Sequence, residues 1–373
     1  MPLHWRYAPQ TSHRDLRLDF LRGYFVVVMS IDHLRMFPAW TLPFTGGGRL
    51  WVTAAEGFIL VSGIVFGNLY RSRAKELGWH KVIAIVAKRA LKLYLLAVVG
   101  QFLLATGDFI LREWRGRPTH VPEAFQDLLK GSFLQIHFSY PYLDILVLYA
   151  LLLLWGVLAV YLLEQKRWKL VLFGSFILWY AWQQEPASFA IFYAYFKFAI
   201  WQFLFILGVV GGYYREELYQ WWRRLPLPTW LITLILAIPA LLFLFLSYQV
   251  VYHDWPMPDY LHIFTDGIGN RQVLSLNRII FALWLFVALY GLVSWLWRPL
   301  NQLLGWLFLL LGQNALLAYL WQAVLTYMIH RLPGYPFEAV GPMLMGFVHV
   351  GFILVLWFLV QQLHEPFQAW LQR

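Results

Sequence analysis

Ten apolar windows recur along the 373-residue chain, near 20–36, 51–70, 82–106, 144–163, 169–182, 198–214, 230–250, 278–297, 303–329 and 341–363. An α-helix rises 1.5 Å per residue, so a window of about 20 residues matches the roughly 30 Å of hydrocarbon in a bilayer. No water reaches that layer, and only helices and closed barrels can pair all of their own backbone groups there. Windows of this length select helices, with the fifth short and the ninth long. The chain is 61% hydrophobic and 13% charged, where a water-soluble domain carries about 25% charged residues. A soluble enzyme is thereby excluded. No internal repeat, low-complexity tract or linker interrupts the pattern, so a solenoid array is excluded too. The expectation is an all-α polytopic membrane bundle of about ten transmembrane helices in one domain, 1–373.

The net charge of +10 does not point to nucleic acid, because the basic residues sit in short connections between apolar windows. Topology explains that placement. With the N-terminus in the cytoplasm, the inner connections and the adjoining Lys169 hold fifteen of the 29 Lys and Arg residues. The outer segments are longer yet hold eight, so the excess of positive charge predicts that both termini are cytoplasmic. The long outer loops, 107–143 and 251–277, carry Trp114, Tyr140, Tyr142, Trp255 and Tyr260. These aromatics read either as a substrate face or as interfacial anchors. Residues 1–19 are polar and have no small-residue cleavage site ahead of an apolar core, so they are expected to remain in the mature chain. The chain has no Cys, which removes disulfides, thiolate metal sites and Cys nucleophiles together. Gly46-Gly-Gly48 reads as a flexible outer loop. No phosphate-binding glycine loop, nucleophile elbow or zinc-binding His pair is present.

An ionisable residue inside a span costs about 2.5 to 3.5 kcal/mol on insertion scales, so each one needs the bundle interior, a cavity or an interface. On the first helix Arg22 and His33 are eleven positions apart. At 100° per residue that is three turns plus about 20°, so both project from one face, about 16 Å apart along the axis. One group then sits near each membrane surface. Asp19 lies one turn before Arg22 and can pair with it, whereas Asp32 points away from His33. Glu56, near the start of the descending second helix, is expected at the depth of His33. A carboxylate beside an imidazole fixes its tautomer and raises its basicity. Two turns deeper, Ser62 and Gly63 suit close helix packing, with a catalytic role for Ser62 as the other reading. The third helix carries Lys88, Arg89 and Lys92, which read either as a basic pocket on the cytoplasmic side or as side chains snorkelling to phospholipid headgroups. Asp144, Trp201, Gln202, Asn314, Gln322 and His349 are the remaining polar or amphipathic residues of note in the spans, and interhelical hydrogen bonding is their default role.

At Asp15-Leu-Arg-Leu-Asp-Phe-Leu-Arg-Gly23, Ile31-Asp-His33 and Ala54-Ala-Glu-Gly-Phe-Ile-Leu-Val-Ser-Gly63 the sequence resembles the OpgC-type membrane acyltransferases, a family that includes enzymes succinylating osmoregulated periplasmic glucans. Arg89-Ala-Leu-Lys-Leu-Tyr94, Tyr142-Leu-Asp-Ile-Leu-Val-Leu-Tyr149 and Trp201-Gln-Phe-Leu-Phe-Ile-Leu-Gly208 look like further family blocks in the family order. The likeness is detailed over residues 14–215 and looser beyond, where Leu311-Gly-Gln-Asn-Ala-Leu316 is the best remnant. The family also looks like a branch of the superfamily of O-antigen acetylases and heparan-glucosaminide acetyltransferases, which typically carry an Arg and a His spaced as Arg22 and His33 are.

The resemblance implies an acyl-coenzyme A donor, succinyl-CoA or acetyl-CoA, on the cytoplasmic side, and a hydroxyl of a periplasmic or cell-surface glycan as acceptor. It implies no metal and no nucleic acid, a location in the bacterial cytoplasmic membrane, and a chain compatible with homo-oligomers. Arg22, Lys88, Arg89 and Lys92 can hold the polyphosphate head of the donor. Its slender pantetheine arm has a length comparable to the separation of Arg22 and His33. His33 is the candidate general base, with Glu56 and Asp32 as the other catalytic candidates. Asp144, Trp201, Gln202 and Asn314 are the substrate-binding candidates, and Ser62, Asn314 and Gln322 are oxyanion-donor candidates by polarity. The competing expectation is a transporter or flippase for a glycan or lipid-linked substrate. That reading asks for inverted repeats and Gly/Pro-interrupted helices in matching halves, which the sequence lacks.

Overall fold

The computed structural model describes residues 14–114, 143–185, 197–256, 273–332, 334–335 and 340–372. All regular structure among them is helical. In chain order the helices are α1 (Leu16–Leu34), α2 (Leu42–Thr45), α3 (Ala54–Leu77), α4 (Trp79–Trp114), α5 (Asp144–Glu164), α6 (Trp168–Gln184), α7 (Phe198–Tyr213), α8 (Arg215–Arg223), α9 (Thr229–His253), α10 (Leu276–Trp295), α11 (Trp297–Gln313), α12 (Ala315–His330) and α13 (Pro342–Gln372). Each of the ten apolar windows is mostly helical. Four helices, α5, α9, α10 and α13, are long and apolar enough to cross a membrane, or up to six spans if each of two bent helix pairs counts as one. Outside that number, α1, α3 and α4 carry several charges each and α6 is 17 residues long, while α7, at 16 residues, enters as one half of a bent pair with α8. Of the outer loop residues, 115–142 and 257–272, with Tyr140, Tyr142 and Tyr260, lie outside the described residues.

The chain divides into two compact units, Met1–Val61 with Glu216–Arg373, and Ser62–Arg215. In the first, α1 is the central helix. Asp15 caps its start by accepting the backbone N–H of Arg17 at 3.0 Å, and Arg35, in the left-handed region at φ 52° and ψ 28°, ends it by donating its N–H to the Asp32 carbonyl. An N-cap acceptor and a left-handed terminator are the usual local signals for a helix of this extent. Helix α1 packs most extensively on α11, where small residues let the backbones meet. A methyl group at Gly23 would collide with the Phe308 carbonyl, and one at Gly312 with the Asp19 carbonyl. Phe20 fills the space beside them, edge-on to Phe308 with centroids 4.9 Å apart.

The expected ninth helix, 303–329, is instead two helices, α11 and α12, bent by 90°. The break is at Asn314, whose side-chain amide donates to the Leu310 carbonyl at 3.0 Å while its Oδ1 accepts from Gln368 of α13 at 2.7 Å. A short amide that competes for backbone partners supplies the alternative that ends a helix. Gly46-Gly-Gly48 is also not a loose loop. All three glycines have positive φ, 73°, 54° and 64°, a region open to residues without a Cβ. The Tyr252 hydroxyl fixes this turn by donating to the Gly46 carbonyl at 2.9 Å.

The second unit holds α4 to α7 with the rest of α3. Helix α4 packs on α5, α5 on α7, and α6 on α7. Gly63 and Gly67 lie one turn apart, and methyl groups there would strike the carbonyls of Phe205 and Val209 on α7; one at Gly212 would strike that of Ile64. This is the small-residue seam by which helices associate without a hydrophobic gradient to drive them. The packing expected at Gly63 is therefore observed.

Candidate active site

The polar side chains of the first unit gather around two ends, that of α1 and that of α3. Helix α1 brings His33 to its last turn, half-buried. The ring Nδ1 lies 2.9 Å from the side-chain amide nitrogen of Gln322, which is 1% exposed on α12. The same amide reaches Thr326 Oγ1 at 3.4 Å, one turn on. An amide presents a donor at one end and an acceptor at the other, and the two ends are equivalent in shape. As placed, the amide nitrogen faces the ring and donates to Nδ1; a half-turn of the amide would set Oε1 there to accept an Nδ1 proton, with Nε2 deprotonated. That is the tautomer a general base requires. The sequence singled out both residues, but not as partners.

Glu56 has its carboxylate engaged elsewhere. One oxygen accepts the Arg278 guanidinium, at 2.6 Å from Nε and 2.5 Å from Nη2. The other accepts the backbone N–H of Thr53 at 2.9 Å and its hydroxyl at 2.7 Å. Glu56 and Arg278 side chains are both 0% exposed. Thr53-Ala-Ala-Glu56 is thus a capping motif at the N-terminus of α3, in which the fourth residue reaches back to the first. Arg278, from the first turn of α10, neutralises it. Sequence reasoning missed Arg278. Its signal was available: an always-charged residue at the edge of an apolar window, and a Thr-x-x-Glu pattern ahead of another.

Arg22 is half-buried on α1, and Asp32 is half-buried one residue before His33. At the start of α1, Asp19 accepts a bidentate pair from Arg14, at 2.6 and 2.9 Å, in place of the pairing with Arg22 that the spacing allows. Asp15 binds Arg17 and the Tyr290 hydroxyl, and the Arg17 guanidinium stacks 4.8 Å from the Tyr290 ring centroid. This end of the helix is therefore dense in paired charge.

In the second unit, Lys88 and Arg89 are exposed on α4 and Lys92 is half-buried. Gln202 is fully buried. Its Oε1 accepts from Ser175 at 2.6 Å and from the Trp155 indole at 3.0 Å, and its amide donates to the Ser175 and Ala199 carbonyls. Three of these bonds join α7 to α5 and α6, and the fourth closes within α7. Ser62 Oγ accepts from Tyr149 at 3.2 Å, which agrees with its packing role. Asp144 is buried at the start of α5 and accepts the Ile145 N–H at 3.0 Å, and Trp201 is buried on α7. His349 is buried on α13 with Nδ1 2.6 Å from Thr41 Oγ1. Among the described residues no group of three or more metal-ligating side chains converges.

The sequence matches the family model described as OpgC protein over residues 14–371. The chain belongs to the OpgC family. No curated protein and no solved structure matches it. The match runs through the region past residue 215, where the resemblance read from motifs alone had thinned. OpgC membership suggests a membrane-associated, glucan-modifying acyltransferase, and the apolar helices agree with a membrane location.

Proposed function

We propose that this OpgC-family chain is a ten-span O-acyltransferase, with both termini cytoplasmic, that moves an acyl group from cytoplasmic acyl-CoA to a hydroxyl of an extracytoplasmic glycan. In this reading the whole chain acts as one catalytic domain in the cytoplasmic membrane. The observation that carries it is the approach of Gln322 to His33 at the far end of the helix that bears Arg22. Gln322, rather than Glu56, then orients the imidazole. His33 Nε2 takes the proton of the glycan hydroxyl as its oxygen attacks the thioester carbonyl, and the imidazolium returns that proton to the departing coenzyme thiolate. Asp32, adjacent and half-buried, offers negative charge while the imidazolium exists. Arg22 on α1 and, in the other unit, Lys88, Arg89 and Lys92 on α4 are each candidates to bind the donor, and a guanidinium would do so by bidentate contacts to phosphate. Asp144 and Trp201 are the candidates to serve the acceptor, while Gln202 and Asn314 each hold helices within their own unit.

The direct test is transfer of label from radiolabelled succinyl-CoA or acetyl-CoA to oligosaccharides by the purified full-length protein. Lys92→Gln is expected to raise the apparent KM for acyl-CoA at least fivefold with the glycan KM little changed. An unchanged donor KM in a folded variant would return the α4 cations to phospholipid headgroups.

Orientation is tested on the naturally Cys-free chain. Cys introduced at exposed Arg49 is expected to react with a membrane-impermeant maleimide in intact spheroplasts, and Cys at exposed Lys75 only after the membrane is permeabilised. The reverse pattern would invert the topology.

A further inference from the structure

We propose that the end of α1 and the end of α12 form a carboxylate-binding site beside His33, built from Arg35, His330 and Arg331. The proposal rests on the acyltransferase reading and adds a specificity site to it. Gln322, Thr326 and His330 recur at four-residue intervals on α12, which places them along one face of the helix. Gln322 meets His33 Nδ1 at 2.9 Å and Thr326 follows. One turn further, the His330 ring lies against the backbone of His33 and Leu34. It is held there by Tyr335, whose ring is 4.4 Å away at 38° and whose hydroxyl donates to the Leu34 carbonyl at 2.9 Å. The polar face of α12 therefore leads from the candidate base to a second histidine at the rim of the bundle.

His330 Nε2 is buried and has no hydrogen-bond partner among the described residues. Arg331 follows His330 in the chain, and Arg35 follows Leu34, whose carbonyl the neighbouring Tyr335 binds, so both arginines belong to the segments that meet here. Arg35 is exposed just past the left-handed end of α1, and the Arg331 guanidinium sits 5.0 Å from the Tyr327 ring centroid. Asp32, the neighbouring acid on α1, projects about 100° round the helix from His33. A buried imidazole nitrogen without a hydrogen-bond partner among the described residues thus lies in a segment pair that carries two arginines, a few residues from the reacting centre. Guanidinium forks match a carboxylate in shape and charge, and an imidazole N–H can complete the set. A carboxylate bound there belongs either to a dicarboxylic acyl group on the donor or to an acidic substituent on the acceptor glycan.

The test separates these sources. With purified full-length protein, kcat/KM is measured for succinyl-CoA against acetyl-CoA on a neutral glucan, and for a carboxylated against a neutral glucan with one donor. In Arg35→Gln and His330→Gln the preference for succinyl-CoA is expected to fall at least tenfold if the acyl group supplies the carboxylate. The preference for carboxylated glucan falls instead if the acceptor does. A binding measurement independent of turnover accompanies it: free succinate is expected to raise the Tm of the wild-type protein in detergent, with the rise lost in both variants. If no donor supports transfer the proposed function fails, while succinate binding still tests this site. Unaltered preferences in both comparisons, or an undiminished succinate effect in the variants, would overturn the proposal.

Discussion

Replacement of His33 by alanine is expected to lower turnover about 100-fold or more while the protein folds and binds acyl-CoA as before, because positioned general-base catalysis contributes about 10² to 10⁴ in rate. Position and partner together give His33 this role in the proposed reaction. His33 is in the last turn of α1, on the helix face that also carries Arg22 eleven residues away, and its Nδ1 faces the Gln322 amide at 2.9 Å. Gln322 fixes the ring through Nδ1 and, with its amide turned to accept there, sets Nε2 as the working nitrogen, so Gln322→Leu, which keeps the volume and loses the bond, should reduce turnover less than His33→Ala. The double variant should be little worse than His33→Ala alone, since a residue that acts by orienting the imidazole has nothing to orient once the imidazole is gone. Steady-state label transfer on folded, purified variants measures all three. Retention of a tenth or more of wild-type turnover by His33→Ala, or independent multiplication of the two effects, would move the base elsewhere.

The helical segments were legible because a period set by the bilayer is written into ten separate windows, each readable without its neighbours. Interruptions were not legible in that way. The bend at Asn314 depends on one side chain finding Leu310 within its own helix and Gln368 on α13, and the second of those contacts exists only once the chain has folded. The same distinction applies at the site. Helical spacing placed Arg22 and His33 on one face, and this is local geometry that a sequence carries. Assigning Glu56 to His33 required knowing which helix lies beside which. Depth in the membrane narrowed the choice without deciding it, and α10 brought Arg278 to the carboxylate instead. Gln322 was visible as a buried polar residue, but its partner lies 289 positions away in the chain. His330 drew no attention at the end of an apolar window, and its interest comes from the four-residue rhythm it shares with Gln322 and Thr326.

Glu56→Leu and Arg278→Met are each expected to destabilise the protein by about 3–5 kcal/mol, the cost of leaving one member of a buried ion pair without its counter-charge. Both side chains are 0% exposed, so neither can turn to water to recover hydration. The loss at Glu56 would be compounded at the start of α3, because the same carboxylate accepts the Thr53 N–H and hydroxyl. The double variant Glu56→Leu with Arg278→Met should regain most of the loss from the pair, since apolar residues of similar volume often replace a buried ion pair at little cost. It should keep only the smaller deficit of the lost cap, about 0.5–2 kcal/mol. Thermal unfolding in detergent, followed by tryptophan fluorescence on the four proteins, completes the cycle. Additive losses in the double variant would mean that the two charges are not coupled. The cycle also separates two roles for Glu56. A residue that holds α3 and α10 together loses folded protein when neutralised, and its turnover per folded molecule changes little. A residue acting on His33 would show the opposite, with stability kept and turnover lost, and would then share the pH dependence of the imidazole.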